Sequence, residues 1–247
     1  MIKYSICIVT MNRKELTREC IEHALDTHGV NREEVELLIG DNASTEPGMV
    51  EMLSSLSPNI LLKSKENLGH EQMMNQLLLR ASGEYYGLPG CDIWMPDNWL
   101  SIWETYYEKL PSPGMLGYQC AIPVPGPRES FGGIYAHPTL GGIFGPTFIT
   151  RKHIERVGFF CEEYGKYGYG DADYGVRCAL LGYTNYYVDN QYKAEHKGHD
   201  INDNSDYRKF KWQNLEDYAP IINARFAGYA DGSIPLHYPA PQLIHFD

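Results

Sequence analysis

The sequence predicts an α/β fold in which an open, mostly parallel sheet is flanked by helices. Short runs rich in β-branched and aromatic residues alternate with helical patterns along the first half of the chain, which is typical of βαβ units. The 247 residues are enough for one large domain of this kind. An apolar content of 43% is ample for a packed core and excludes a disordered or fibrous chain.

The first half of the chain supplies the regular elements. Four strands are expected there: SICIVT (5–10), VELLIG (35–40), ILLKS (60–64) and YYGL (85–88). Three helices are expected between them: at 14–27, after Pro47, and at 69–82. Each of these helical segments has apolar residues at helical spacing on one face, as a helix packed on a sheet requires.

The second half is less regular. An aromatic-rich helix after Pro96 leads to MLGYQCA (115–121), and residues 122–147 then hold many Pro and Gly. This stretch predicts a long loop or short strands of the kind that carries binding function. Helical patterns return at three places, 151–157, 173–182 and 207–218, and the last thirty residues are expected to be extended and to wrap the surface.

These elements predict one α/β domain over 1–218 and a C-terminal extension over 219–247. Within the domain, residues 1–110 form a binding half and residues 111–218 a catalytic half.

Charge and composition narrow the partners. Twenty-one Lys and Arg against 32 acidic residues give a net charge of −11, so no basic field would attract nucleic acid or an anionic membrane. Six cysteines without CxxC pairs indicate a reduced, cytoplasmic protein. The N-terminus does not resemble a signal peptide, and no apolar run approaches the length of a spanning helix, so we expect at most peripheral membrane contact.

Polar residues lie at the carboxyl ends of the first two predicted strands, where open α/β sheets bind ligands. They are Thr10, Asn12, Arg13, Asp41 and Asn42. The run TMNRKE (10–15) lacks the glycines of a dinucleotide site, and no phosphate-binding GxxxxGK[ST] loop occurs, which disfavours dehydrogenases and P-loop NTPases. Asn12 is open to two interpretations, a capping box with Glu15 or a nucleotide contact, and one residue can do both.

Six segments in a fixed order carry a family resemblance. They are IVTMNR (8–13), GDNAST (40–45), NLGHEQMMN (67–75), ASGEYYGLPGCD (81–92), GPTFITRKHIERVGFF (145–160) and YGDADYGVRCALLGY (169–183). Together they resemble glycosyltransferase family 2, of the nucleotide-diphospho-sugar transferase type with the GT-A fold. The resemblance implies an inverting enzyme that moves a sugar from a nucleotide-diphosphate donor, with a UDP-sugar expected first, to a hydroxyl of a glycan or other acceptor.

The resemblance also implies which residues bind the donor. Thr10, Asn12 and Arg13 would line the base and ribose pocket, and Asp41 would accept a hydrogen bond from the base. Asn67 and Gly69 would lie near the diphosphate or ribose, with the missing side chain of Gly69 allowing close backbone approach. The alternative for Asn67-Leu68-Gly69 is a turn that precedes a helix.

A divalent metal, Mn²⁺ or Mg²⁺, is the cofactor that the resemblance implies. The family usually has Asp-x-Asp after the fourth strand, and this chain has Gly90-Cys91-Asp92, with Cys91 among the donor-binding residues and Asp92 as the metal ligand. Mg²⁺ often takes only one or two protein carboxylates. His196 is the second expected ligand, and its neighbours His199 and Asp200 remain candidates.

The catalytic base is expected in GYGDADYGVR (168–177). By resemblance, Asp171 is the carboxylate that removes the proton from the acceptor hydroxyl, and Asp173 is the alternative. Gly170 stands where the family usually has a glutamate, which bears on how the acceptor is oriented. The alternative role for an aspartate at a helix start is capping.

Two other functions compete with transfer. A catalytically silent protein that binds a nucleotide sugar or glycan is favoured by Gly90 and Gly170, which replace acids that the family usually holds. A nucleotidyltransferase would need a glycine-rich, basic loop after the first strand, and TMNRKE (10–15) has no glycine.

Overall fold

The computed structural model describes residues 1–120, 123–124, 126–198 and 206–246. Its strands are β1 (Tyr4–Thr10), β2 (Val35–Asn42), β3 (Ile60–Ser64), β4 (Tyr85–Leu88), β5 (Ile93–Trp94), β6 (Pro113–Gly117), β7 (Glu129–Phe131), β8 (Ile134–Thr139), β9 (Thr147–Thr150), β10 (Thr184–Val188) and β11 (Glu195–His196). Its α-helices are α1 (Lys14–Asp26), α2 (Met49–Ser55), α3 (His70–Leu78), α4 (Trp99–Lys109), α5 (Arg151–Val157), α6 (Gly170–Leu180) and α7 (Asp206–Asp231). A short 3₁₀ helix, Arg32–Glu34, precedes β2.

Nine of the described strands form one sheet in the order β3-β2-β1-β4-β9-β6-β10-β8-β7. The first four pair in parallel, as the alternation of strands and helices predicts. Strand β9 then pairs antiparallel with both β4 and β6, and β8 is antiparallel to β10 and β7. Strands β5 and β11 form a separate antiparallel pair.

Helices cover both faces of the sheet, so the central strands are buried on both sides. Strand β1 alternates between two apolar clusters: Ile6 and Ile8 face one and Cys7 faces the other. Helices α1, α2 and α4 pack on the first face, while α3, α5 and α6 pack on the second. This explains why β1 and β2 are continuous apolar runs rather than alternating patterns.

The predicted elements of the first half are all present, with one shortened. Helix α3 ends at Leu78 rather than at residue 82. The buried carboxylate of Glu36 accepts hydrogen bonds from the backbone amide and hydroxyl of Ser82, at 2.6 and 2.9 Å, and thereby turns the chain into β4. Within 122–147, the described residues contain the antiparallel pair β7 and β8.

The expectation that residues 219–247 are extended is wrong for residues 219–231. Helix α7 continues through Pro220 to Asp231. Proline costs helix stability because it lacks an N–H and crowds the preceding turn, but buried Ile222 and Tyr229 anchor the helix beyond it. Residues 232–237 form a turn and bends rather than an extended segment, and residues 239–246 form no helix or strand. Tyr238 pairs with the backbone of Val157 and Phe159.

Within the described residues, none of the helices combines the length and apolar character that crossing a membrane requires.

Candidate active site

The carboxyl ends of β1, β2 and β4 meet the N-termini of α3 and α6 at one edge of the sheet. A cavity of about 250 Å³ lies beside them, and Asp92 and Asp171 both line it. His70, Glu71 and Tyr167 line it as well. The structure therefore brings the two acids of the expected metal and base positions to one cavity.

The loop after β1 is held in a strained conformation. Asn12 and Arg13 have φ of 57° and 59°, a left-handed backbone that non-glycine residues rarely adopt. The capping box expected for Asn12 is absent, because its side-chain oxygen accepts hydrogen bonds from the backbone amides of Thr45 and Glu46 at 2.7 and 3.0 Å. Asn12 therefore ties the loop after β1 to the loop after β2.

Two further residues that are predicted to bind the donor sugar nucleotide, Thr10 and Asp41, are buried. Thr10 is buried, and its hydroxyl lies 3.3 Å from that of Thr17 on α1. Asp41 is 3% exposed and accepts a hydrogen bond from the amide of Ser44 at 3.2 Å. A carboxylate with one such partner has acceptor capacity for a donor group of a ligand.

Asn67 and Gly69 form the turn that precedes α3. The side-chain oxygen of Asn67 accepts from the side chain of Asn42 and from the backbone amide of Gly69, both at 2.9 Å. Gly69 has φ of 92°, and a Cβ there would lie 2.7 Å from the carbonyl oxygen of Gly165. The backbone of Gly165 therefore approaches Gly69 closely, and the contact of Gly69 with a diphosphate or ribose stays a prediction.

Asp92 faces two cationic or ionisable side chains. Its Oδ2 lies 3.0 Å from Nη1 of Arg13 and 3.7 Å from Nε2 of His196. The pairing of β5 with β11 sets His196 beside Ile93, and the amide of Lys197 donates to the carbonyl of Asp92 at 2.8 Å. His199 and Asp200 lie outside the described residues.

Asp92 and His196 fit a divalent metal with two protein ligands. An aspartate oxygen and an imidazole nitrogen at 3.7 Å are close enough to share an ion. Within the described ranges, no group of three or more His, Cys, Asp and Glu side chains could hold a metal. A metal would therefore take its remaining ligands from water and from the diphosphate of a bound donor.

Cys91 and Lys211 complete the surroundings of Asp92. Burial raises the pKa of the Cys91 thiol to about 11, so this side chain is a neutral thiol. Burial lowers the pKa of the Lys211 ammonium on α7, which the negative charge of Asp92 partly offsets. A partly buried cation near Asp92 adds positive charge where a diphosphate would bind.

Asp171 occupies the first turn of α6. Its Oδ1 accepts a hydrogen bond from the amide of Ala172 at 2.7 Å, so the carboxylate also satisfies one free N–H of the helix end. Burial, reinforced by the charge of Glu71, raises the pKa of Asp171 to about 7. A carboxyl group with a pKa near 7 is well matched to proton removal at neutral pH.

Asp173 has a different environment. It is fully buried and accepts hydrogen bonds from Nε of Arg177 at 2.7 Å and from the hydroxyls of Tyr164 and Tyr229 at 2.8 and 2.6 Å. Arg177 also donates to two backbone carbonyls at the end of α5. Asp173 is not among the residues that line the cavity, and its contacts are those of a structural ion pair.

Four residues of this region were not predicted from the sequence: His70, Glu71, Tyr167 and Lys211. Glu71 stands within NLGHEQMMN (67–75), but a glutamate in the first turn of a helix indicates only a favourable dipole contact. Lys211 comes from α7, far from every motif. Tyr167 directly precedes the motif GYGDADYGVR (168–177), and its place beside that motif is the sequence feature that could have predicted it.

Comparison with known proteins bears on this geometry. Residues 5–116 match the family model described as glycosyl transferase family 2. The expected resemblance to glycosyltransferase family 2 is confirmed. The match ends at β6, so it contains Asp92 and Glu71 but not Asp171.

A curated relative and two solved structures extend the comparison. Abequosyltransferase RfbV of Salmonella typhimurium is 31% identical over 110 residues, which are 42% of this chain and 32% of the relative. Mannosyltransferase PcManGT of Pyrobaculum calidifontis, in complex with GDP-Man and Mn²⁺, has a TM-score of 0.63 at 15% identity over 81% of this chain and 58% of its own. GalNAc-T7 with UDP, GalNAc and Mn²⁺ has a TM-score of 0.66 at 11% identity over 79% of this chain and 44% of its own.

These similarities confirm the predicted GT-A fold. The chain spans about a third of the length of the curated relative that it matches.

Proposed function

We propose that this protein is an inverting glycosyltransferase that uses a nucleotide-diphosphate sugar as donor. The observation that carries the proposal is the shared cavity: Asp92, at the expected metal position, and Asp171, at the expected base position, line one space of about 250 Å³. Donor diphosphate and acceptor hydroxyl must meet in one such space for direct transfer.

The donor is proposed to bind along the loops after β1 and β2. Asp41 is the acceptor for a base N–H, since a buried carboxylate left unpaired by a wrong base is costly. Nη1 of Arg13 donates a hydrogen bond to Oδ2 of Asp92, so the Arg13 side chain is placed to reach an oxygen of a diphosphate bound beside Asp92. A UDP-sugar is the first donor to test, and a GDP-sugar the second, because the similar solved structures carry UDP in one case and GDP-Man in the other.

We propose that Asp92 and His196 hold Mn²⁺ or Mg²⁺. The metal would neutralise charge on the departing nucleoside diphosphate. Arg13, which now pairs with Asp92 at 3.0 Å, would then be free to contact the phosphates.

Asp171 is proposed as the general base. The acceptor oxygen forms a bond to the anomeric carbon, its proton passes to a carboxylate oxygen of Asp171, and the bond from the anomeric carbon to the diphosphate oxygen breaks. The products are the glycosylated acceptor and the nucleoside diphosphate. Direct displacement with one base inverts the anomeric centre.

A binding screen tests the donor half of the proposal. UDP-glucose, UDP-N-acetylglucosamine and GDP-mannose are each added with Mn²⁺ or with EDTA, and the melting temperature is measured. A ligand selective for the folded state raises the midpoint. We expect one of these donors to raise it with Mn²⁺ and to lose the effect in EDTA. No shift with any donor would contradict the proposal.

A further inference from the structure

Glu71 is a buried carboxylate with acceptor capacity at the cavity. It lies in the first turn of α3, is 7% exposed, and lines the same cavity as Asp171. Its Oε2 is buried and has no hydrogen-bond partner among the described residues. A buried carboxylate oxygen without a partner is costly, so a hydrogen-bond donor, either a water molecule or a hydroxyl of a ligand, is expected to complete it.

Glu71 also fills the space that a side chain at position 170 would need. A Cβ built on Gly170 would lie 2.4 Å from Cγ and 2.5 Å from Oε1 of Glu71. The backbone of Gly170 is not left-handed, so its conformation does not itself require glycine. The glycine is required because Glu71 occupies the place.

We propose that Glu71 is the acceptor-orienting carboxylate of this site, supplied by α3 in place of the acid that position 170 lacks. This inference rests on the proposed function, because it assigns the acceptor side of the same transfer site. Gly170 then does not mark a lost catalytic group. It marks a carboxylate relocated from α6 to α3.

The two carboxylates define what the acceptor must offer. Asp171 receives the proton of the reacting hydroxyl, and Glu71 Oε2 accepts a hydrogen bond from a second hydroxyl on the same acceptor. The expected acceptor class is therefore a sugar or other polyol, which carries a second hydroxyl besides the reacting one. A site built to bond a hydroxyl rejects an analogue that lacks it, because its own polar group is then left unpaired.

The charge of Glu71 affects the ionisation of Asp171. Burial, with the charge of Glu162 adding to it, raises the pKa of Glu71 to about 7, and Glu71 in turn helps to raise the pKa of Asp171. His70 is the nearby ionisable base, with Nδ1 at 4.0 Å from Glu71 Oε1. Removing the charge of Glu71 should therefore lower the pKa of Asp171.

The experiment measures hydrolysis of the donor, with water as the probe acceptor because water can donate one hydrogen to each carboxylate. Nucleoside diphosphate release from the nucleotide sugar selected by the binding screen is followed with enzyme in excess. The variants are Glu71→Gln, Glu71→Asp, Glu71→Ala and the relocation variant Glu71→Ala with Gly170→Glu. Glu51→Gln is the matched control, because Glu51 is an exposed glutamate in the first turn of α2.

We expect Glu71→Gln to lower the release rate at least about tenfold, the scale of a lost orienting contact, with unchanged donor affinity. The pH below which the release rate of this variant falls should be lower than in the wild type, because Asp171 loses a like-charged neighbour. The melting temperature at pH 8 should not fall, because ionisation of a carboxyl with a raised pKa opposes folding and the amide removes this cost. Glu71→Asp should retain part of the rate, and the relocation variant should recover rate that Glu71→Ala loses.

Three results distinguish a failure of this inference from a failure of the proposed function. A wild-type rate and an unshifted pH limb in Glu71→Gln, while Asp171→Asn is inactive, would overturn this inference and leave the proposed function standing. No recovery in a folded relocation variant would also count against it. A wild-type protein that neither binds nor cleaves any nucleotide sugar would overturn both.

Discussion

Asp171 and Asp173 lie two residues apart in α6 and have opposite surroundings. Asp171 lines the cavity, whereas Asp173 is fully buried against Arg177 and two tyrosine hydroxyls. Residues two apart on a helix point to different faces, so one motif can serve both the cavity and the core. We expect substitution of the first to affect turnover and substitution of the second to affect stability.

Turnover should follow the ionisation of Asp171. Burial raises the pKa of this carboxyl to about 7, and only the carboxylate can accept a proton. The rate of nucleoside diphosphate release should therefore level off above that pH and fall about tenfold per unit below it. A rate that stays flat from about pH 5 to pH 8 would contradict the assignment of the base.

Asp173→Asn should destabilise the fold. The substitution leaves the fully buried guanidinium of Arg177 without its counter-charge, and breaking a buried ion pair in this way costs about 3–5 kcal/mol. Urea unfolding measures the loss. Asp26→Asn, at an exposed position of α1, is the control and should change stability by less than about 0.5 kcal/mol. Equal stability of the two variants would show that the network is not structural.

The segment between α5 and α6 is held in place by two helices. Gly165 packs against Gly69 at the start of α3, and the amide of His70 donates to the carbonyl of Lys166 at 3.3 Å. On the other side, the side chain of Asn214 on α7 donates to the carbonyls of Tyr164 and Tyr167. Helices α3 and α7 thereby fix the segment that carries Tyr167 to the cavity.

Gly69→Ala should disturb this contact. The new methyl group would meet the carbonyl oxygen of Gly165 at 2.7 Å on a backbone with φ of 92°. The backbone alone costs roughly 1–3 kcal/mol, and displacement of the segment adds to it. Gly232→Ala is the control, because Gly232 has φ of 78° but no atom within 4 Å of the added Cβ. Equal losses of unfolding free energy would mean that the contact with Gly165 contributes nothing.

At the scale of the whole chain, local sequence patterns predict the strands and helices of residues 1–110. Each of these helices has one apolar face, and each of these strands is a short apolar run, so apolar periodicity is enough to predict them. The length of α7 does not, since Pro220 indicates a break and only packing of Ile222 and Tyr229 against the domain offsets it.

Some residues of the site can likewise be predicted from the sequence, and others depend on the packing of the fold. Motif order places Asp92 and Asp171, which the fold brings to one cavity. It does not place Glu71, whose proximity to Gly170 depends on the packing of α3 against α6. The capping interpretation of Asn12 is wrong, because its side-chain oxygen joins two loops that are distant in sequence.

The role of Asp171 in sugar transfer is tested by measuring release of nucleoside diphosphate by the wild type and by Asp171→Asn, with Mn²⁺ and the selected nucleotide sugar. We expect both proteins to bind the donor equally and to melt at similar temperatures. We expect the wild type to release nucleoside diphosphate and the variant to do so at least about 10²-fold more slowly, the low end for a lost general base. A wild type that binds the donor without cleaving it would contradict the proposed transfer, and a variant that retains the wild-type rate would contradict the role of Asp171.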